Sequence, residues 1–374
     1  MKKSLSFLAA AFLLASCSQR LKVEVINPTA VDRDDETVEI AWNQLAPVKG
    51  LTPENVVVCD DEGEQVASQV LYRGTDEPQA LIFQVDVDGL ETERFTIGTG
   101  LRNAYPAEAF GRQVPERYDD YAWENNKVAY RLYGPALETS PEQLITPGID
   151  VWVKCTDKLV IDEWYAKGDY HHNYGDGMDC YKVGKTLGGG SSVPFIGGQL
   201  FLLPHNYATC KTLDNGPIRT SVELTYAPFA LDDTHTAALT KVITLDANQR
   251  FNRMECIYTG DFEELPIAAG FVRHDVKRTE TGADWVAICE PASDSKDPVR
   301  DGDIYGAVLL SGAAILPDTV GHALAVKSVR PDERLVYYAG TGWSQGGVDD
   351  MAEWIEEIDE VKAATETPLQ VVVK

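Results

Sequence analysis

Apolar and polar residues alternate with period two along most of the chain, the pattern of strands with one buried face. Leu21, Val23 and Val25 alternate with Lys22 and Glu24, and Val38, Ile40 and Trp42 repeat the pattern. Similar runs recur at 55–59, 80–87, 94–97, 128–133, 149–155, 218–226, 239–245 and 251–258, then at 285–289, 304–310, 323–326, 335–338 and 369–373. Turn residues separate them at short intervals, so antiparallel sandwiches fit and alternating βα units do not. Three segments carry helix signals. Ser140-Pro141-Glu142-Gln143 has an N-cap, a proline at the first helical position and a capping-box glutamine. Residues 157–167 predict a short helix closed by Gly168. Residues 349–364 place Met351, Trp354, Ile355, Ile358 and Val361 on one stripe, suited to packing on a sheet.

The stretch from Leu101 to Tyr118 lacks periodicity and contains Pro106, Gly111 and Pro115, which marks a linker. The predicted fold is all-β: a small N-terminal β-sandwich over 17–100, then a large antiparallel β super-sandwich over 118–374 with a C-terminal helix. At 374 residues, with 44% hydrophobic and 25% charged residues, the chain has the composition of a globular protein with a sizeable core. The formal charge of -26 argues against nucleic acid as a partner, because phosphate binding relies on clustered cations. An anionic ligand would need a local basic pocket within this negative envelope.

The N-terminus reads as an address. Lys2 and Lys3 precede a short apolar run, Leu5 to Leu14, that ends in Leu14-Ala15-Ser16-Cys17. This is the layout of a bacterial lipobox, with 1–16 as signal peptide and Cys17 as the lipidated residue. The expected location is the outer membrane, facing the periplasm, with the lipid anchor as the membrane contact. Six further cysteines remain in a compartment that permits disulfides, and sequence does not choose among their 15 pairings. No CxxC occurs, which leaves zinc without support.

Candidate chemistry concentrates in the polar segment Trp164 to Ser192, which includes His171, His172, four tyrosines and three aspartates. A long polar stretch inside a compact domain is usually functional. Gly184-Lys185-Thr186 lacks the upstream glycine of a phosphate loop, and Gly340, Gly342 and Gly346 miss the last glycine of GxGxxG. Asp176 and Asp179 lack calcium-loop spacing, so no cofactor is expected, with calcium the one ion kept open. On strand-like runs, Arg131 shares a face with Ala129 and Tyr133, and Arg219 lies opposite Ile218 and Thr220. His205 and His274 follow apolar stretches, and Trp123 with Glu124 and Trp343 offers aromatic faces beside polar groups.

The segments Ala122-Trp123-Glu124-Asn125, Tyr130-Arg131-Leu132-Tyr133-Gly134-Pro135, Tyr170-His171-His172, Gly177-Met178-Asp179 and Tyr337-Tyr338 with Gly342-Trp343 resemble a little-characterised lipoprotein family. Its members are encoded in polysaccharide-utilisation loci of Bacteroidetes, near enzymes that remove unsaturated uronic acids. The large domain resembles the galactose-mutarotase type of super-sandwich, shared with several polysaccharide lyases. The resemblance implies β-elimination on uronic-acid-containing oligosaccharides, by a lyase or a dehydratase. Such chemistry needs a cation for the carboxylate and a group of near-neutral pKa for the proton. His172, Tyr174, Arg131, His205 and His274 are the catalytic candidates. Trp123, Glu124, His171, Arg219 and Trp343 are the substrate-binding candidates, with His172 and Tyr174 expected to face Arg131. A glycoside hydrolase using a carboxylate pair, and a non-catalytic glycan-binding lipoprotein, remain the alternatives.

Overall fold

A computed structural model describes residues 20–295, 297 and 299–374. The signal segment and Cys17 lie outside the described residues. The protein is all-β, with two α-helices among the described residues. No helix there is long and apolar enough to cross a membrane.

The small sandwich faces a four-stranded sheet against a three-stranded one. The first runs Gln370–Val373, Leu21–Ile26, Thr92–Thr99, Val56–Cys59; the second runs Arg33–Ala41, Ala80–Val87, Ser68–Leu71. Alternation sends Val23, Val25, Val38, Ile40, Phe83 and Ile97 into one core. The sequence boundaries need a correction here. The C-terminal strand pairs with the first strand, Val371 opposite Val25 and Val373 opposite Val23. Leu369, Val371 and Val373 pack against this core, so the small sandwich takes strands from both ends of the described chain.

The large part packs three antiparallel sheets around a second core. The largest sheet has nine strands, with Thr236–Asp246, Phe251–Gly260 and Arg334–Trp343 near its middle. The C-terminal helix, Met351–Glu366, lies on its outer face. Asp350 caps the helix by accepting hydrogen bonds from the Ala352 (2.7 Å) and Glu353 (3.2 Å) amides. Met351, Trp354 and Ile358 are buried as the stripe predicts, and Trp354 stacks on Phe251 at 5.0 Å between centroids.

A five-stranded sheet positions the site. Its order is Gly177–Asp179, Ile149–Lys154, Val128–Leu132, Asp120–Asn125, Ala109–Val114. One face enters the main core through Tyr121, Trp123, Tyr130, Leu132, Val151 and Met178. Residues directly opposite on paired strands share a face. Arg131 pairs with Asp150 and Ala122, while Trp152 pairs with Asp179 and Ala129. The second face therefore carries Asp120, Glu124, Arg131, Asp150, Lys154 and Asp179, all buried. The helix Ile161–Lys167 covers part of it, packing Ile161 and Trp164 on Trp152.

Three sequence expectations fail for physical reasons. Ser140 to Gln143 forms a turn, with the Ser140 hydroxyl accepting from the Glu142 amide at 3.1 Å and Gln143 at φ 48°. The linker 101–118 contains the strand Ala109–Val114, paired along Asp120–Asn125. The segment Trp164 to Ser192 is not one loop. It finishes the short helix, forms Gly177–Asp179 and enters the buried strand Gly189–Ile196. A Cβ on Gly190 would meet that of Ala339 at 2.5 Å, so glycine there reflects close packing of two sheets.

Candidate functional site

Arg131 sits in the middle of the charged face, with 6% of its side chain exposed. Its Nη2 donates to Asp150 Oδ2 and, at 3.2 Å, to Asp179 Oδ2, and its Nη1 donates to the Tyr170 hydroxyl at 3.1 Å. The rings of Tyr133, Trp152 and Tyr170 surround the guanidinium at 5.2 to 5.8 Å. A buried cation held this way needs its counter-charges close, because water is excluded. Burial pushes both carboxyl groups towards protonation, and Asp150 adds its charge to that effect on Asp179, while Arg131 opposes it. The Asp150–Asp179 pair so favours retaining one proton between two carboxyl groups.

Asp120 lies on the neighbouring strand. Its Oδ1 accepts from the Gly134 amide at 2.9 Å. Burial raises its pKa to about 6, against the opposing effects of Arg131, the Gly134 amide and Arg117. The chain reaches Asp120 through Tyr118 and Asp119, two consecutive non-glycine residues with left-handed φ of 53° and 61°. Side chains there cost strain, and such strain clusters at functional sites. Gly134 closes the turn from the other side, where a Cβ would overlap the Asp119 carbonyl.

Around Asp120 and Arg131, four buried polar atoms have no hydrogen-bond partner among the described residues: Arg117 Nη1, Arg131 Nε, Asp120 Oδ2 and the Tyr165 hydroxyl. Their side chains are close enough to perturb one another's titration. Buried polar groups are normally paired, so three donors and one acceptor left open in one neighbourhood are chemically suited to a polar ligand. Arg117, 24% exposed, leads from this group to the surface, where it pairs with Glu142.

Several predicted residues lie elsewhere. Tyr170, not His172, meets Arg131. His172 sits further along, its ring 4.6 Å from that of Tyr174. Tyr174 is exposed, donates to Asp169 at 2.8 Å and has Lys167 over its ring. His171 flanks the cluster: its Nδ1 is 3.1 Å from the Asp179 carbonyl oxygen and 3.8 Å from Asp179 Oδ2. His205 pairs at 2.9 Å with Glu138 of the Pro135–Thr139 turn.

His274 pairs with Glu290 at 2.6 Å and with the Lys182 carbonyl at 2.7 Å. Burial disfavours its charged form, but the Glu290 hydrogen bond and charge outweigh this and leave the pKa raised above its ordinary 6.5. Stabilisation by this ion pair is therefore complete below about pH 6.5 and fades as pH rises through the folded value. His274→Gln is expected to lower the melting temperature at about pH 6 and to change it little near pH 9. Equal losses at both pH values would remove the charge from the account.

Three binding candidates serve the fold. Trp123 is 1% exposed, stacks on Tyr130 and donates to Asn252 at 2.7 Å. Trp343 is buried too and donates to the Asp301 carbonyl at 2.7 Å. Both face the main core, so neither ring is open to a sugar. Glu124 accepts from Lys154 at 2.9 Å and from the Val160 and Ile161 amides at 2.8 Å, capping the short helix. Arg219 grips Asp246 at 2.6 and 2.7 Å in a different cleft. Sequence reasoning missed Arg117, Asp120, Asp150, Asp179, Tyr165 and Tyr170. One usable signal was the alternation Asp150, Trp152, Lys154 against Ile149, Val151, Val153, which places a charged face on a buried strand.

Among the described residues, no group of three or more His, Cys, Asp or Glu side chains is arranged to hold a metal ion. Comparison with solved structures finds an alpha-mannosidase from Enterococcus faecalis V583, with TM-score 0.54 and 8% identity over 95% of this chain. A protein of glycosyl hydrolase family 38 from Enterococcus faecalis matches with TM-score 0.56 and 9% identity, again over 95% of this chain. The chain spans about half the length of these structures, 46% and 47%, and at such identity the likeness is one of fold. A curated relative, "Uncharacterized protein P7" of Formosa agariphila, is 29% identical with 98% of each chain covered. The model for "Domain of unknown function (DUF4861)" matches residues 25–371, and the chain belongs to that family.

Proposed function

We propose that the protein is a carbohydrate-active enzyme that acts on uronic-acid-containing oligosaccharides by β-elimination, as a lyase or a dehydratase. The observation that carries this reading is the set of open buried atoms around Asp120 and Arg131. Arg117 Nη1 and Arg131 Nε are the donors a uronate carboxylate requires, because the electron density left at C5 must be spread onto a neutralised carboxylate. Asp120, with a pKa of about 6, is the acceptor for the C5 proton. As that C–H bond breaks, its electrons form the C4=C5 double bond and the C4–O bond breaks. The departing oxygen takes a proton from the Tyr165 phenol or from the Asp150–Asp179 pair. A leaving sugar makes the enzyme a lyase, and leaving water makes it a dehydratase. In the same reading the protein is an outer-membrane lipoprotein held through Cys17 and facing the periplasm.

Incubation with uronate oligosaccharides of defined length tests the proposal. Ultraviolet absorbance should rise as the conjugated unsaturated uronate forms. Mass spectrometry then separates chain cleavage from loss of one water. New reducing ends without ultraviolet absorbance would instead indicate hydrolysis. That second reading draws on the glycosidase fold neighbours and on the carboxyl groups of Asp120, Asp150 and Asp179. No change in any uronate oligosaccharide would leave neither reaction standing.

A further inference from the structure

From a second cleft, we infer that the protein binds uncharged sugar units at a site separate from the Arg131 cluster, between the small sandwich, the outer face of the nine-stranded sheet and the C-terminal helix. The cleft has a volume of about 430 Å³, large enough for one or two sugar rings. Its three walls are the strand Arg33–Ala41, the strands Thr236–Asp246, Phe251–Gly260 and Arg334–Trp343, and the helix Met351–Glu366. None of the residues around Asp120 and Arg131 lines it.

The chemistry of the walls selects the ligand class. Seven acidic and five basic side chains line the cleft, so donors and acceptors are interleaved. A simple anion would meet the carboxylates, and a simple cation would meet the guanidinium groups. A sugar hydroxyl donates and accepts at once, so it satisfies both. Two wall atoms are buried without a partner among the described residues: Arg33 Nε and the Thr37 hydroxyl. The Arg33 side chain is only 2% exposed; it pairs with Glu36 at 3.6 Å, and its bonds to the Glu360 and Thr367 carbonyls and the Thr29 hydroxyl are all long, at 3.4 Å. A ligand oxygen would complete this weakly held donor. On the opposite wall, Tyr338 stands directly across from Arg253 on the paired strand and offers a half-buried ring for stacking on a sugar. Burial raises the pKa values of Asp35, Glu36, Glu357 and Glu360 in the cleft, with Glu357 at about 7 because burial outweighs its Arg250 partner. Partial protonation of Glu357 reduces repulsion within the cleft and gives a further hydrogen-bond donor.

Titration of the full chain with galactose, mannose, xylose, rhamnose and glucose, each into the millimolar range and followed by NMR, tests the site. Saturable shifts are expected with at least one sugar. They should weaken at least tenfold in Tyr338→Ala and in Thr37→Val, and persist unchanged in Asp120→Asn. Thr37→Val preserves shape, so it guards against loss of binding through unfolding, and melting curves check both variants. Absence of saturable binding with every sugar would overturn the inference. So would binding that survives both cleft substitutions, or binding lost only in Asp120→Asn. A failure here leaves the elimination assay unaffected, because that reading rests on the other cluster.

Discussion

Asp120→Asn is expected to lower turnover on uronate oligosaccharides by about 100-fold or more, the usual contribution of a positioned general base. The amide keeps the Oδ1 acceptor for the Gly134 N–H, so the turn beneath it has no reason to move. Wild-type enzyme should show a kcat/KM that rises with pH around 6, because Asp120 must lose its proton before it can accept another. That limb should vanish in the variant. Stability should respond in the opposite direction. A carboxyl group raised from 3.8 to about 6 binds its proton more tightly folded than unfolded, so wild-type stability declines as pH rises through that interval. The asparagine variant has no such decline, and its melting temperature at pH 8 should equal or exceed that of the wild type. A structural Asp120 would behave otherwise, losing stability and activity together. Turnover within about threefold of wild type would remove Asp120 from the mechanism.

Many strands with one face on the core and the other towards solvent were legible. Thr236–Asp246 alternates through its whole length, and its buried residues are the apolar ones, with Lys241 as the exception. Where both faces are buried, strands such as Ile149–Lys154 were legible but the charged face they carry was not. Asp120–Asn125 and Ile149–Lys154 are buried at every position, so their acids fall on a covered face and still read as ordinary surface charge. With 59 acidic residues in the chain, composition singles out none of them. What distinguishes Asp150 and Asp179 is register: Asp150 lies opposite Arg131, and Asp179 lies one strand further, opposite Trp152. Register depends on pairing partners far apart in the chain, which alternation does not encode. Arg131 itself was legible, as a cation on a strand beside small Ala129, and the structure gives it a charged neighbourhood. The histidines misled because scarcity and loop position were the available signals, and neither reports distance. Trp123 and Trp343 misled differently: each follows the core-facing alternation of its own strand, and that periodicity outranked their aromatic chemistry.

Arg131→Met should destabilise the protein by roughly 3–5 kcal/mol near neutral pH, since removing one partner of a buried ion pair strands the other charge. Asp150 would keep the Val151 amide and a long 3.4 Å bond from the Trp152 indole, with no cation left in place of the guanidinium. Two consequences separate this account from a simple packing defect. The loss should shrink as pH falls towards 5, because stranded carboxyl groups that take up protons no longer bury charge. Arg131→Met combined with Asp150→Asn should recover part of the loss, because the double substitution removes charge of both signs. A packing defect would give the same penalty at every pH and no recovery in the pair. The size of this effect also decides which arginine can report on catalysis. Activity lost in Arg131→Met would be confounded with unfolding, whereas Arg117 has a side chain 24% exposed and an open Nη1. Arg117→Ala should therefore raise KM for uronate substrates at nearly unchanged melting temperature, since it acts on a carboxylate already charged in the ground state. If KM stays fixed while Arg131→Met behaves as described, the buried cluster is a structural ion network and the uronate carboxylate is held elsewhere.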